Sequence, residues 1–464
     1  MQLLVPVLAS LASLAAAPLA RAEPVFRGCD SDFPGQFDQG PVEPGPLRLA
    51  SVSCVESGLG EAADPIVSPD GSSLARWPTH QAPMEIAALD RPGLVSLHNR
   101  VTFRNFAAGG QGTTPDSLAW ATDSRSLWGV RQRLASRGGW ALSGLTSISI
   151  GRDGTIRDLP ALRHPAGPLD GILWVGGDGL ALAQFGTLGG SYRPPHNDIS
   201  PTIAMVDAAR GRVLADFPVE GIPGFAARLR AHGMMISGAT AALLSDGRIR
   251  AVVQFSRWTE TPRTAAGQEG EPIRHSGSWL VWTQGEAPRI RPTPYPGDHH
   301  NPLALSPDGS KLLVVRPLQP DGVQVHCRIP CRGPPPPPPT PVDGSVAELI
   351  DVASGRVLWR VSARADRFWN RGSPPVIGGD GNYALIPLPP TSDRAPIALI
   401  DMRTGRIVQR IAPTLTGSYT PSFGFTAGGR RAWVEIGNVI LVYEVGDVDD
   451  KRVEHRAGIG HWLM

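Results

Sequence analysis

Short hydrophobic runs alternate with turn-forming residues along most of the chain, and one local pattern recurs seven times. In each copy an apolar run leads into an Asp-Gly or related turn, and a second apolar run follows. The sequence Ser-Pro-Asp-Gly-Ser forms two of the turns, at 68–72 and 306–310. The other five turns are the pairs Asp123-Ser124, Asp178-Gly179, Asp246-Gly247, Asp380-Gly381 and Gly428-Gly429. Pro presets the first φ angle, Asp bonds the turn backbone and Gly accepts a positive φ, so each copy predicts a tight β-hairpin.

The residue four places after the turn Asp, or after its equivalent Gly428, indicates how well the copies align. This residue is apolar in most copies: Leu74, Leu127, Leu182, Leu312, Ala384 and Ala432. In the fourth copy Arg250 stands at this place, which makes the Asp246 turn the weakest alignment. The position otherwise predicts a buried side chain at the start of the second strand of each hairpin.

A second hairpin pattern follows most of these turns. Residues 349–359, 399–408 and 205–214 each read as a strand, an Asp, a few polar residues, a glycine and a second strand. The glycine supplies the positive φ that a short hairpin turn requires. Two hairpins make a four-stranded antiparallel unit, and units repeated with little helical periodicity predict an all-β, seven-bladed β-propeller. Six or eight blades are the alternatives, because the last copy is degenerate.

The two hairpin types divide the expected disc into two faces. If the Asp-Gly turn joins the first and second strands of a blade, and the Gly-containing turn joins the third and fourth, both lie on one face, here called the short-turn face. The connections from second to third strands and from blade to blade then lie on the opposite face, the long-loop face. Loops that vary over a regular scaffold commonly carry binding residues, so we expect function on the long-loop face.

The hairpins also carry a resemblance to known families. The Ser-Pro-Asp-Gly turns resemble the WD40-like repeats of the periplasmic protein TolB and of the propellers that precede prolyl oligopeptidase domains. The hairpins around Asp351 and Asp401 resemble the repeats of YVTN-type and quinoprotein propellers. The resemblance covers about residues 64–456 and implies a propeller fold rather than a particular activity.

The two ends of the chain have different compositions from the repeats. Residues 1–22 form an apolar stretch that ends in Ala-Arg-Ala, which is typical of a secretory signal peptide and predicts a periplasmic or secreted protein beginning at Glu23. Residues 23–63 are predicted as an N-terminal tail with a possible closing strand, and 457–464 as a C-terminal tail. The strand near residues 47–55 would close the ring by pairing with the last blade, while 451–456 is a second candidate for that blade's last strand. With the leader removed, no stable membrane insertion is expected.

Four cysteines form two pairs that are close in sequence. We predict disulfides between Cys29 and Cys54 and between Cys327 and Cys331, although four cysteines allow three connectivities. The first would clip the N-terminal tail, and the second would close a small loop inside a Cys- and Pro-rich insertion at 317–345. This insertion also holds six consecutive prolines, at 334–339, which predict a stiff extended spacer or a ligand for an aromatic groove.

The sequence lacks the signatures of the best-known enzymes with such repeats. No serine has glycine two places before and two places after it, so the nucleophile elbow of an α/β-hydrolase is absent. No two cysteines are adjacent, so the vicinal disulfide that quinoprotein dehydrogenases share is also absent. Trp359 is interpreted as an aromatic that packs between blades. We therefore predict no catalytic residue, no metal and no cofactor, with a channel-centred enzyme or small-ligand binder using a metal or redox cofactor as the alternative.

The blade-to-blade loops contain the candidate binding residues. Exposed Trp, Tyr and Arg are enriched at the centres of protein interfaces, and histidines could face the channel mouth. The predicted binding residues are Phe225, Arg228, Arg230, His299, His300, Trp369, Asn370, Arg371 and Tyr419. A metal shared by His299 with His164 and His232 would need three loops to converge, so these histidines are interpreted as surface residues. The predicted partner is a protein or peptide on the long-loop face.

Charge and composition narrow the partner class. The chain has 44 basic and 42 acidic side chains, a net charge of +2 that offers no footprint for nucleic acid. Nearly every basic residue is arginine, Lys311 and Lys451 being the only lysines. This bias reflects either genome composition, which we favour, or recognition of anions.

Overall fold

The chain folds almost entirely into short antiparallel strands. A computed structural model describes residues 26–27, 43–54, 63–68, 72–77, 84–88, 97–101, 119–120, 124–134, 142–151, 155–167, 169–175, 179–186, 202–221, 234–257, 275–292, 302–316, 318, 341–365, 374–390, 394–412, 421–426, 429–436 and 439–446. Within these ranges the helical residues are Gly179 and a single 3-10 turn at Val219–Gly221. None of the described residues forms a helix with the length and hydropathy to cross a membrane.

The described strands form seven sheets, numbered here in the order in which their innermost strands occur. The strands of sheets 1 to 3 are β3 (Ala63–Val67), β4 (Ser73–Trp77), β5 (Met84–Ala88) and β6 (Leu97–Val101); β7 (Ala119–Trp120), β8 (Ser126–Leu134), β9 (Leu142–Gly151) and β10 (Ile156–Asp158); β11 (Leu169–Val175), β12 (Leu180–Phe185), β13 (Thr202–Asp207) and β14 (Arg212–Pro218). Those of sheets 4 and 5 are β15 (Met234–Leu243), β16 (Ile249–Arg257), β17 (His275–Thr283) and β18 (Arg289–Pro292); β19 (Leu303–Leu305), β20 (Lys311–Val315), β21 (Val342–Asp351) and β22 (Val357–Ala365). Those of sheets 6 and 7 are β23 (Val376–Ile377), β24 (Tyr383–Pro387), β25 (Ile397–Asp401) and β26 (Ile407–Ile411); β27 (Ser422–Phe425), β28 (Arg431–Ile436), β29 (Val439–Val445), β2 (Leu47–Cys54) and β1 (Phe26–Arg27).

The innermost strands contact one another in a closed ring. β3 touches β7, β7 touches β11, and so on through β15, β19, β23 and β27, which returns to β3. In sheets 1 to 6 consecutive strands run outward from the ring, each antiparallel to the last. The prediction of an all-β propeller built from four-stranded antiparallel sheets is therefore confirmed.

Apolar side chains fill the gaps between neighbouring sheets. Leu313 and Leu349 of sheet 5, for example, pack with Ala384, Ile386 and Ile400 of sheet 6. Because successive side chains along a strand point to opposite faces of the sheet, the next residue along each strand packs into the gap on the other side. Each fully buried Leu or Ile contributes about 1.5–3 kcal/mol, so the core is a series of separate layers that together hold the ring.

The repeated Asp-Gly turns join the first and second strands of each sheet. The second turn position takes a positive φ in six described copies, with values from 58° at Ser124 to 84° at Gly179. Ser124 is the one non-glycine residue with positive φ in the described part of the chain. Its place after Asp123 supports the alignment of the second copy of the turn, in which Ser replaces the usual Gly.

The hairpins of sheets 3 and 4 are one residue shorter than the rest. In sheet 5, Leu305 pairs with Leu312, four places after Asp308, but in sheet 4 Leu243 pairs with Ile249, three places after Asp246. Ile249 is fully buried and is the residue equivalent to Leu312. The sequence alignment at Arg250 was therefore wrong by one residue, and Ala181 rather than Leu182 is the equivalent residue in sheet 3.

An N-terminal strand completes the last sheet. β2 pairs antiparallel with β29, from Leu47 opposite Val445 to Cys54 opposite Val439. β1 then adds to the outer side of β2 in parallel orientation. Residues 451–456 lie outside the described residues, and the place next to β29 that such a last strand would take is filled by β2.

One further boundary differs from expectation. Residues 342–345, expected to belong to the Cys- and Pro-rich insertion, form the first part of β21. The leader at 1–22 and the tail at 457–464 lie outside the described residues, so both stay predictions.

Candidate functional site

The two faces of the disc differ in how the strands are connected. At the short-turn face, β19 ends at Leu305 and β20 begins at Lys311, and the other six hairpins of this type have similar gaps. At the long-loop face, β20 ends at Val315 and β21 begins at Val342, whereas β28 ends at Ile436 and β29 begins at Val439. Most of the variation in length is thus on the long-loop face, and the exception on the short-turn face is the connection from β5, which ends at Ala88, to β6, which begins at Leu97.

All nine predicted binding residues belong to connections that leave from the long-loop face. Phe225, Arg228, Arg230, His299, His300, Trp369, Asn370, Arg371 and Tyr419 each lie in sequence between the outer strand of one sheet and the inner strand of the next. All nine are outside the described residues, as are Cys29, Cys327, Cys331 and His232. Cys54 is the last residue of β2, and only its backbone is described. The binding residues and both disulfides stay predictions.

Carboxylates on the short-turn face are held inside their own turns. Asp351 accepts hydrogen bonds from the hydroxyl and from the backbone N–H of Ser354, and these bonds lower the pKa of Asp351 below its ordinary 3.8. Arg248 donates hydrogen bonds to Asp246 from its backbone N–H and from its side chain. These bonds, the backbone bond most of all, lower the pKa of Asp246. A carboxylate with a lowered pKa is a poor proton acceptor near neutral pH, so these groups serve the turns rather than acid-base chemistry.

The pKa of Asp308 is also lowered, although burial acts in the opposite direction. Partial burial raises its pKa, but hydrogen bonds from Ser306 and Ser310 together with the charge of Lys311 outweigh burial, and the pKa is lowered overall. The Ser-Pro-Asp-Gly-Ser turn is therefore closed by its own side chains.

His164 lies in the described connection between sheets 2 and 3. Its Nδ1 accepts a hydrogen bond from the backbone N–H of Ala166 at 3.0 Å, which leaves Nε2 to donate to Asp216 at 3.1 Å. The ring stacks on Phe185 with centroids 4.9 Å apart, and the side chain is only 8% exposed. The interpretation of His164 as a surface residue was therefore wrong, because the ring is buried and both nitrogens are bonded within the protein. The described residues contain no group of three or more His, Cys, Asp or Glu arranged for a metal ion.

A buried ion-pair cluster crosses three strands of sheet 5. Glu348 on β21 has a side chain that is 3% exposed, and its Oε1 accepts a hydrogen bond from Nε of Arg360 on β22 at 3.0 Å. Nη1 of Arg316, which follows β20, lies 3.7 Å from the same oxygen. A carboxylate buried this far needs cationic partners, because an unpaired charge in a protein interior is costly.

This cluster points toward sheet 4. Glu348 is directly opposite Val314, which packs with Trp279 and Val252 of sheet 4. Sequence reasoning missed Glu348, although a signal was present: a single acid within the apolar run 346–350 of a central strand. Such a residue has to find a cation on a neighbouring strand, and the exposed face of β22 supplies one.

The outer strand β22 carries a strip of exposed side chains. Exposure alternates along the strand, so Leu358, Arg360, Ser362 and Arg364 face solvent while Val361 and Ala365 are buried. Arg360 is 61% exposed, although its Nε is fixed to Glu348. Leu358, at 39%, is one of two large hydrophobic residues that are exposed in the described part of the chain. This strip combines an apolar group with positioned guanidinium groups.

Comparisons with known proteins give structural similarity without a family. No protein-family model and no curated protein matches the chain. The chain is similar to the Dos1 propeller, with 9% identity over 86% of this chain and 95% of that one and a TM-score of 0.45. It is also similar to hydrazine synthase from Kuenenia stuttgartiensis, with 13% identity, coverages of 84% and 97% and a TM-score of 0.42. A third similar structure is the β-propeller domain of Myceliophteria thermophila Cps50 (Swd1), with 12% identity, coverages of 87% and 100% and a TM-score of 0.40.

The assignment of the fold rests on the chain's own sheets and on the ring of contacts between their inner strands. The resemblance to TolB-type and YVTN-type repeats stays a prediction.

Proposed function

We propose that this chain is an exported, non-catalytic β-propeller that binds a protein partner through its long-loop face. The observation that carries the proposal is the difference between the two faces. Apart from the β5–β6 connection, the short-turn face is built from hairpins of nearly constant length, and Asp246, Asp308 and Asp351 are bonded within their turns. Connections of variable length leave from the other face, as binding loops do on other rigid scaffolds.

The predicted binding residues of the long-loop face suit this role. Trp369, Arg371 and Tyr419 occupy two neighbouring connections, one between sheets 5 and 6 and one between sheets 6 and 7. Trp, Tyr and Arg are the residues that dominate binding energy at protein interfaces, because they bury large areas and donate specific hydrogen bonds. Export is supported by the leader at 1–22, and the mature protein is expected to begin at Glu23.

A capture experiment with a matched control tests the face. The triple variant Trp369→Ala, Arg371→Ala, Tyr419→Ala is compared with wild type, both purified from the compartment to which the protein is exported. The control is Arg356→Ala, Arg403→Ala, Arg406→Ala, three exposed arginines on the short-turn face. We expect the long-loop variant to lose partners that the control retains, with the same far-UV spectrum in all three proteins. Identical partner lists for all three would contradict the proposed face.

The alternative of a channel-centred enzyme or small-ligand binder is tested independently. Metal analysis and an absorption spectrum are recorded on protein purified from its own compartment. A stoichiometric metal or a chromophore would contradict the non-catalytic proposal.

A further inference from the structure

The outer strand of sheet 5 differs from the other outer strands of the ring. Among the residues that the structure describes, β22 has nine, against seven in β14, five in β6 and β26, four in β18 and three in β10. β14 and β18 end in Pro218 and Pro292, and proline limits strand pairing, but β22 contains no proline. The eight residues of β2 are already covered on their outer side by β1.

An outer strand presents a row of backbone donors and acceptors on its free side. In the residues that the structure describes, the backbone of β22 is bonded on its inner side to β21, and no further strand pairs with its outer side. A long strand edge of this kind is a template for pairing with another extended chain. Sheet 7 shows that an outer edge of this ring does accept another strand, because β1 adds to β2.

The side chains along this edge define the partner that fits. The Nε of Arg360 is held by the buried Glu348, which fixes the guanidinium in place while most of the side chain stays exposed. A guanidinium that is already positioned binds a carboxylate with little further loss of side-chain entropy, and its remaining N–H groups can make paired hydrogen bonds. Arg364 lies four residues further along the same side of β22, opposite Asp343 on β21, so it repeats the arrangement of an arginine beside an acid, and Leu358 adds an apolar contact at the other end.

We propose that the outer edge of β22 is a docking site for an extended acidic segment of a partner protein, which adds to sheet 5 as a further strand. Acidic side chains of that segment face Arg360 and Arg364, and the alternate side chains are apolar because they continue the buried side of the sheet, where Trp359 and Val361 lie. The site is on the rim of the disc and is separate from the long-loop face.

A second copy of this chain fits the edge less well. Pairing two β22 strands would bring Arg360 and Arg364 of both copies onto one pair of strands, and like charges opposite each other destabilise a sheet. An acidic strand instead places opposite charges at these positions, so charge complementarity favours a different protein as the occupant.

Binding of short capped peptides to the full-length protein tests the proposal. One peptide alternates glutamate and valine, and the other two replace glutamate by glutamine or by lysine. We expect the glutamate peptide to bind about tenfold or more tightly than the glutamine peptide, since charge-assisted hydrogen bonds are stronger than neutral ones, and the lysine peptide to bind weakest. Equal binding of the three peptides would overturn the proposal.

Variants and hydrogen exchange locate the binding. Arg360→Gln and Arg364→Gln should each weaken binding of the glutamate peptide, whereas Arg406→Gln, an equal change of charge on the short-turn face, should not. Arg364→Gln keeps the test valid if Arg360→Gln destabilises the protein by leaving Glu348 with fewer partners. Bound glutamate peptide should slow amide exchange in β22 and leave β26 unchanged. Protection at β26 or at the long-loop face instead of β22, or equal affinity in all variants, would refute the assignment of this edge.

Loss of this site and loss of the long-loop face are distinguishable. The triple variant at Trp369, Arg371 and Tyr419 should keep wild-type affinity for the glutamate peptide. The proposal for β22 therefore stands or falls without the proposed function of the other face.

Discussion

Individual glycines in the repeated turns have two separate roles. Gly405 has a φ of +73°, and a Cβ added to it would lie 2.6 Å from Cγ of Trp359, whose indole N–H donates to the backbone oxygen of Met402 at 2.9 Å. The Gly-containing turn of sheet 6 is thus a socket for a side chain from the outer strand of sheet 5. The side chain of Arg291 likewise packs against Gly355, and Pro160 packs against Gly211. The interpretation of Trp359 as a residue that packs between blades is confirmed.

The double role of Gly405 gives a prediction with a close control. Gly381 has nearly the same φ, +72°, but an added Cβ would meet nothing within 4 Å. Gly381→Ala should cost about 1 kcal/mol of unfolding free energy from the left-handed conformation alone. Gly405→Ala should cost about 2–4 kcal/mol, because overpacking against Trp359 is added. Urea unfolding measures both, and equal losses would show that the contact with Trp359 does not matter.

At the scale of whole elements, the strand β2 is fixed by one buried amide. Gln409 on β26 is 1% exposed, accepts a hydrogen bond from the backbone N–H of Leu47 at 2.6 Å and donates to the backbone oxygens of Glu43 and Leu47. Gly45 lies so close to this side chain that a Cβ there would be 2.5 Å from its amide oxygen. The segment that begins sheet 7 is therefore held by sheet 6 as well as by β29.

Removing this amide should loosen β2 selectively. Gln409→Ala leaves backbone groups of the 43–47 segment without their partner, which should cost about 2–3 kcal/mol. The neighbouring Arg410, whose Nη1 contacts the exposed Glu43 at 3.1 Å, provides the control: Arg410→Ala should cost less than about 1 kcal/mol. Amide exchange measures the difference, with faster exchange expected in β2 and little change in β20. If exchange accelerated equally in all sheets, Gln409 would not be a local clamp.

The elements differ in how far the sequence could predict them. Hairpins such as 306–310 were predictable because their turn chemistry is local and each residue type has one physical reason to be there. The one-residue shortening at Asp246 was missed because Arg250 occupies the expected apolar place, and its aliphatic stem packs beside Gly309 of the next sheet. Contacts such as Gln409 with Leu47 were missed because they join residues far apart in sequence, and a polar residue in a strand does not indicate its partner.

The candidate site was predicted less completely for a different reason. Sequence reasoning placed function in the connections, where residue types suggest interfaces but no repeat constrains their positions. It overlooked Glu348 and Arg360, since a charged pair across two strands becomes visible only once the strand register is known.

On the scale of the whole molecule, closure of the ring depends on the N-terminal segment. If Cys29 is bonded to Cys54 as the sequence predicts, the disulfide fastens the end of β2 to the chain that follows β1. Reduction of both predicted disulfides should lower the melting temperature more than it changes the far-UV spectrum, because the strands remain while a restraint on the unfolded chain is lost. The Cys29→Ser, Cys54→Ser variant should account for most of the decrease, and Cys327→Ser, Cys331→Ser for little of it. No change in melting on reduction would contradict a disulfide at the closure.

The pairing of β2 with β29 also affects the order in which the sheets can form. Leu47 emerges early from a ribosome or an export channel, but its partner Val445 emerges only after every other described strand. Six sheets can form from neighbouring segments as the chain appears, whereas the seventh must wait for both ends, and contacts so distant in sequence form slowly. Until then the edge of β2 that pairs with β29 is open to pairing with other extended segments. We therefore expect sheet 7 to be the last of the seven sheets to form.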